Sequence, residues 1–437
     1  LTETERLAYA TAEPENRYRN CATTRTKREV VEALVAKHVD DQFFTRWFEA
    51  MEERTADTMA ERGQKLFAFG EYYDGAISTL SGYIHKQGLP SVLDFAFQPA
   101  AVGYAQGGTA EVLANVFRSD NKYLTPNKSS YNLINFLGNH DMGRAGKIIE
   151  SKRINPASEL LPRTLLGHSL MYLTRGIPSV YYGDEVGMTG TGSGSDQLAR
   201  QDMFSTKVNI WKTEKRIGSS PIGTGNAFDV TDKHPIANHL KALSALRAAN
   251  PALANGQMQI RYAKDYLLAI SKKDDVENRE YVVAFNNSTK PVKVTVPTAT
   301  SKGGWKLLMG KTAVKASAEK VTITVPALST VVLKANQKID KTDVKVGKIT
   351  SELDFLTGYY ETKAAVTTKD LAKVTFFIRT SADQAWSSLG TDTNFPYSVF
   401  IDPLDYEGKT IQIKAQAINS KGAKYELPST TITIPAP

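Results

Sequence analysis

From Asp40 to Leu253, stretches with apolar residues three and four apart alternate with short, continuously apolar runs. The first spacing predicts helices over 40–64, 109–120, 161–175 and 234–253, because residues at that separation share one helix face. The short runs predict strands over 66–70, 91–96, 133–138 and 177–182. Helix and strand in alternation give a parallel sheet whose crossovers are helical, so these four strands should be neighbours.

After Pro251 the pattern changes to period two. "QMQIRYA", "YLLAISKK", "EYVVAFNN", "VKVTVP" and "WKLLMG" are short β-branched or alternating runs separated by Asn, Gly, Lys and Pro. "KVTITVPALSTVVLKA" continues them, and the series predicts an antiparallel sandwich over 256–336. The polar bridge "NQKIDKTDVKVGK" then reads as a linker, open to protease between Asn336 and Gly347. "KVTFFIRT", "YSVFIDP", "TIQIKAQAIN" and "STTITIPA" predict a second sandwich of immunoglobulin size over 345–437. The glycine-rich "TGTGSGSDQ", 189–197, is expected to be a flexible loop.

Composition narrows the class. With 437 residues and 41% hydrophobic content the chain can build several cores. No run approaches the roughly 18 apolar residues of a membrane span, and the first 20 residues lack the apolar stretch of a signal peptide. A single cysteine, Cys21, excludes an internal disulfide framework and a cysteine-based zinc site. The net charge of +8 raises the question of nucleic acid. Ten lysines, no arginine and a single aromatic, Trp305, lie between Ser301 and Thr350, on alternating strand positions and a linker, which lacks the Arg and aromatic interleaving of single-strand binders and describes a solvated basic surface and no nucleic-acid partner.

Chemistry concentrates where the predicted parallel strands end. "FAFGEYYDG" ends in Glu71, "INFLGNHDMGR" in His140, Asp141 and Arg144, and "IPSVYYGDE" in Asp184 and Glu185. Singly, each acid fits a helix cap or a salt bridge, and Asp141 could cap the helix that follows it. Jointly, carboxylates on nearby strand ends beside Tyr72, Tyr73 and Tyr182 describe a sugar site, with acids for proton transfer and rings for stacking.

"FAFGEYYDG", "INFLGNHDMGR", "GIPSVYYGDEVGM" and "LARQDMF" resemble, in order and spacing, the later conserved segments of the alpha-amylase family, glycoside hydrolase family 13. The resemblance implies an α/β plus all-β protein: a (β/α)8 TIM-type barrel over 37–255, N-terminally truncated, then the two β-sandwiches, with 1–36 unassigned. It implies retaining cleavage of alpha-1,4 links in an alpha-glucan polysaccharide or maltooligosaccharide. Glu71 would be the general acid/base and Asp141 the carboxylate that grips sugar hydroxyls. His140, Lys37, His38, Tyr73 and Arg144 would bind substrate, with Arg200 a further contact or support. Some members hold calcium near the Lys-His segment, so calcium is an implied cofactor, although no metal ligand is assigned here. A monomer acting outside the cell or at its surface, against the cell wall in one version, is expected.

The resemblance departs from the family at the nucleophile. Family members carry it in a glycine, aromatic, Arg, apolar, Asp segment leading into Lys-His, whereas this chain reads "VVEALVAKHVDD". Leu34 falls at the nucleophile and Glu32 at the arginine, and Asp40 and Asp41 belong to the next helix start. Leucine cannot form a glycosyl ester. A truncated or misjoined gene, a split enzyme completed by another chain, and a degenerate glucan-binding or cell-surface member all fit, as does an inactive fragment.

Overall fold

The computed structural model describes residues 41–61, 67–151, 156–223, 226–355 and 357–436. Helix α1 is Asp41–Glu61. The four predicted parallel strands pair in the predicted order. Gly70 bridges Val92, Leu93 bridges Ile134, and β1 (Ile134–Asn135) pairs in parallel with β2 (Ile177–Pro178). Each is one or two residues long, far shorter than the apolar runs suggested. The expected strand over 91–96 stops after Leu93, where Asp94 turns the chain by accepting the Phe97 N–H at 2.9 Å. From there Phe97–Ala105 is helix α3, with Pro99 in its first turn, where a missing N–H costs nothing.

The remaining helices clothe this ladder: α2 (Ile77–His85), α4 (Ala110–Arg118), α5 (Ala145–Glu150), α6 (Leu160–Leu173), α7 (Asn209–Thr213) and α8 (Pro235–Ala249). The helix expected over 234–253 breaks at Asn250, since the residue before a proline is pushed out of the helical region. A short α9 (Pro251–Asn255) follows.

The first all-β region has two antiparallel sheets. One is ordered β3 (Gln257–Lys264), β4 (Leu267–Lys273), β5 (Arg279–Asn286), β10 (Ser329–Lys338), β7 (Trp305–Met309). The other is β6 (Val292–Pro297), β9 (Lys320–Val325), β8 (Val314–Ser317). Alternate residues of β4 and β5 serve two cores. Leu267, Ala269, Val282 and Ala284 face the smaller sheet, while Leu268, Ile270, Val283 and Phe285 pack among Leu170, Leu173 and Leu253 of the helical layer. Both faces being covered, β4 is buried at every position, which explains its lack of polar alternation.

The second all-β region pairs β11 (Val344–Asp354), β12 (Tyr359–Thr368) and β15 (Ser398–Ile401) against β14 (Ser387–Asp392), β13 (Lys373–Arg379), β16 (Thr410–Ile418), β17 (Lys424–Glu426) and β18 (Thr430–Thr433). Its core takes every second residue, Val374, Phe376 and Ile378 meeting Ile411, Ile413 and Ala415, and it also takes in Leu124 from the barrel side. The expectation of an open linker at 336–347 is corrected. β10 runs to Lys338, β11 starts at Val344, and Ile339 between them is buried with Ala299 and Leu371. Lysines of the basic stretch are partly neutralised, Lys341 pairing with Glu319 at 2.9 Å.

Candidate active site

The chain leaves β1 through Gly138 into a tight turn held by Asn139, whose Oδ1 accepts the N–H groups of Asp141 at 3.0 Å and Met142 at 2.7 Å. Gly143 closes the turn at φ 108, packed so closely on Gly194 that no side chain fits. The turn leaves His140 and Asp141 half-exposed at the rim. Asp141 Oδ1 accepts from Arg200 Nη2 at 2.9 Å and lies 3.4 Å from His140 Nε2, and Arg200 Nε also donates to the His140 carbonyl at 3.1 Å. Asp196 N–H donates to the Asp141 carbonyl at 3.1 Å. The loop expected over 189–197 is present and lies against the Asp141 turn, its glycines permitting the close approach.

Glu71 follows Gly70 at the end of the next strand but one, across Val92 and Leu93 from β1. Burial raises its carboxyl above the ordinary value, the charge of Asp141 raises it further, and His140 offsets part of the shift. Those influences place the three groups in one electrostatic neighbourhood. A carboxyl raised by burial and by a like charge is shifted in the direction a proton donor needs. Tyr73 stands 63% exposed, its ring edge-on to Phe95 with centroids 4.9 Å apart, and Tyr182 is exposed on the loop after β2. Tyr72 instead packs on Tyr83.

Arg144 is a correction. Expected at the substrate, it is fully buried beneath the rim, with its guanidinium 4.4 Å from the Tyr181 ring and 4.9 Å from the Tyr182 ring. It donates to the Tyr182 carbonyl and to Gln201 Oε1, the latter at 3.0 Å, so it ties together the turns that carry Asp141, Tyr182 and Arg200. Asp184 lies 3.7 Å from it, and burial pushes that carboxyl up to about 7. Asp184 Oδ2 accepts the Ala145 N–H at 3.3 Å, so Asp184 and not Asp141 serves the start of α5. Glu185 folds back on the Gly183 N–H at 2.7 Å. The sequence reading missed Asn139 and Gln201, although the Gly-Asn pair was a legible turn signal.

Lys37, His38, Glu32, Leu34 and Asp40 lie outside the described residues. The calcium that the family resemblance implies would lie near the same segment. Among the described residues no group of three His, Cys, Asp or Glu side chains converges where a metal could sit, and no step is routed through one. None of the described helices is long and apolar enough to cross a membrane.

Comparison with known proteins identifies the family. The family model for the alpha amylase catalytic domain matches residues 11–256, beginning upstream of Lys37. An alpha-amylase of Streptomyces lividans is 38% identical over 399 residues, 88% of this chain and 42% of that protein. A cyclomaltodextrin glucanotransferase of Bacillus licheniformis is 28% identical over 239 residues, 53% of this chain and 27% of that one. The chain thus spans less than half the length of these relatives. In fold it is similar to the Geobacillus thermoleovorans alpha-amylase solved with acarbose (TM-score 0.53, 18% identity, 69% of this chain and 59% of that one). An Anoxybacillus alpha-amylase aligns with TM-score 0.52 and 23% identity, over 69% and 58%. With four ordered motifs, a parallel ladder ending in Glu71 and Asp141, and a family match over more than half its length, the chain belongs to the alpha-amylase family of glycoside hydrolases.

Proposed function

We propose that the cleft at Glu71 and Asp141 binds alpha-1,4-linked, starch-like glucans in the manner of a retaining glycosidase. Glu71 protonates the glycosidic oxygen, and Asp141, steadied by Arg200 and His140, accepts hydrogen bonds from ring hydroxyls as the oxocarbenium-like transition state forms. The observation that carries this reading is the raised carboxyl of Glu71 beside Asp141. Tyr73 offers an exposed ring for stacking, and Lys37 and His38 complete the binding set by family resemblance. The division into 37–255, 256–336 and 345–437 is supported by the separate cores of the two β regions. The immunoglobulin-like character of the last region, a monomeric state and a location outside the cell or at its wall are parts of the same proposal, since a glucan polymer does not cross a membrane.

Retaining chemistry requires a second carboxylate about 5–5.5 Å from the acid. Leu34 at that motif position favours a second reading, in which the chain by itself holds glucan without cleaving it. The test is to follow reducing ends released from soluble starch by the purified chain beside Glu71→Gln. The binding-only reading expects no release of reducing ends in either protein, with glucan held in the millimolar range, equivalent to about 4 kcal/mol, in a separate calorimetric titration. Turnover that vanishes in Glu71→Gln would overturn the binding-only reading and show that another carboxylate attacks.

A further inference from the structure

The loop over 189–197 lies against the Asp141 turn at one end, and at the other it is anchored by a carboxylate from a separate turn. The Thr189 N–H donates to Glu214 Oε1 at 2.8 Å, and the Thr189 hydroxyl lies 3.0 Å from the same oxygen and 2.6 Å from the Lys215 carbonyl. Glu214 stands just after α7, 25 residues further along the chain, so the contact fastens two distant turns together.

The loop backbone, in return, holds the charge of Glu214. Neighbouring Lys215 turns instead to Glu150, at 2.5 Å. Burial raises the Glu214 carboxyl above its ordinary value, hydrogen bonds from Thr189 and Gly190 offset part of that shift, and the Arg144 guanidinium offsets a little more. Hydrogen bonds from N–H groups to a carboxylate are roughly twice as strong as neutral ones, which makes this a firm anchor.

From base to tip the loop is braced across itself. The Thr191 N–H donates to the Leu198 carbonyl at 2.9 Å, and the Gly194 N–H donates to the Thr191 carbonyl at 2.8 Å. At the tip Gly194 abuts Gly143, and the Asp196 N–H donates to the Asp141 carbonyl. The Asp196 carboxylate pairs with the same Arg200 Nη2 that donates to Asp141 Oδ1. A braced loop moves as a unit, so a shift where Glu214 holds it is passed to Arg200 and Asp141, where a misplacement of about 1 Å is enough to weaken a binding group.

We propose that Glu214 is a positioning residue for the barrel cleft: by fixing the backbone of Thr189 and Gly190 it sets where the loop presses Asp196 and Arg200 against Asp141, and so the aim of the Asp141 carboxylate. That this aim serves a sugar hydroxyl rests on the proposed function, whereas the hold of Glu214 on the loop does not.

The test compares the wild type with Glu214→Ala by NMR, first without ligand and then with maltotriose as the probe. In the free protein the Asp196 N–H should exchange with solvent about tenfold faster in the variant, and the Arg200 Nε–H signal, from the bond to the His140 carbonyl, should shift. Two amides serve as controls and should be unchanged: Ile217, bonded to the Gly187 carbonyl near Glu214, and Ile177, bonded to the Leu133 carbonyl in the ladder. Maltotriose affinity should fall about fivefold. Glu214→Gln keeps one oxygen for the Thr189 N–H but loses the charge, so it should show the same changes at about two- to threefold, and it carries the test if the alanine variant does not fold. An Asp196 amide that ignores both substitutions would overturn the proposal. So would equal acceleration of Asp196 and Ile217, which would make Glu214 a general support, or a loosened loop with unchanged affinity. A wild type that does not bind maltotriose would refute the proposed function, and the exchange rates and the Arg200 signal would then decide the hold of Glu214 by themselves.

Discussion

Two arginine–aspartate systems sit within the same helical layer and differ almost completely in surroundings. At the rim, Arg200 and Asp141 are 41% and 50% exposed and joined at 2.9 Å. Behind the ladder, Arg175 is fully buried. It reaches Asp94 at 2.5 Å, Asp120 at 2.9 Å and Asn135 at 3.0 Å, with its guanidinium 5.2 Å from the Phe117 ring. Water screens the rim pair, leaving Asp141 free to exchange partners for a sugar. It cannot reach the other system, so every carboxylate there depends on one guanidinium. The same residue types therefore make a binding device in one place and a structural joint in the other.

The sharpest break in that comparison is Arg175→Ala. It leaves Asp94 and Asp120 buried without their cation, at a cost of about 3–5 kcal/mol, the usual penalty for removing one partner of a buried pair. Burial already holds Asp120 up to about 6 with Arg175 present. Urea denaturation should show this loss, and Arg200→Ala should change stability by less than about 1 kcal/mol. Equal losses in the two variants would erase the distinction.

Asp141→Asn comes next in size. Losing a charge-assisted acceptor worth about 1.5–3 kcal/mol should weaken maltotriose binding about 10- to 100-fold in a calorimetric titration, with the urea midpoint little changed. Asp184 sharpens the comparison through pH. Burial raises its folded-state carboxyl to about 7, above the roughly 3.9 of an unfolded chain. Between those values the folded state binds more protons, so this group's contribution to stability falls as pH rises through that window. Midpoints measured from pH 4 to 7 should fall less steeply in Asp184→Asn than in the wild type, and an unchanged slope would refute the assignment. The smallest effect is Tyr73→Ala, a several-fold loss of binding equivalent to about 0.5–1.5 kcal/mol, with no loss of stability from so exposed a ring.

The rim was legible in the sequence because it is built from short contiguous motifs. Glu71, His140 and Asp141 each follow an apolar run, and strand order followed from alternation alone. Strand length was not legible: the runs 91–96 and 133–138 are apolar because they are buried, and burial does not distinguish a strand from the first turn of a helix. Nor was the depth of Arg144, since its place depends on Tyr181, Tyr182 and Gln201, brought from 37 to 57 residues away by the fold. β11 and β12 escaped notice because lysines and threonines on their outer positions mask the inward alternation of Ile349, Ala364 and Val366.

The proposed role of Glu71 as proton donor rests on a carboxyl raised by burial and by Asp141. Titrating the carboxyl carbon of Glu71 by NMR tests it directly, in the wild type and in Asp141→Asn. The account predicts a midpoint above that of an ordinary glutamate, which moves down when the neighbouring charge is removed. A Glu71 that titrates as a free side chain and ignores the Asp141 substitution would contradict it.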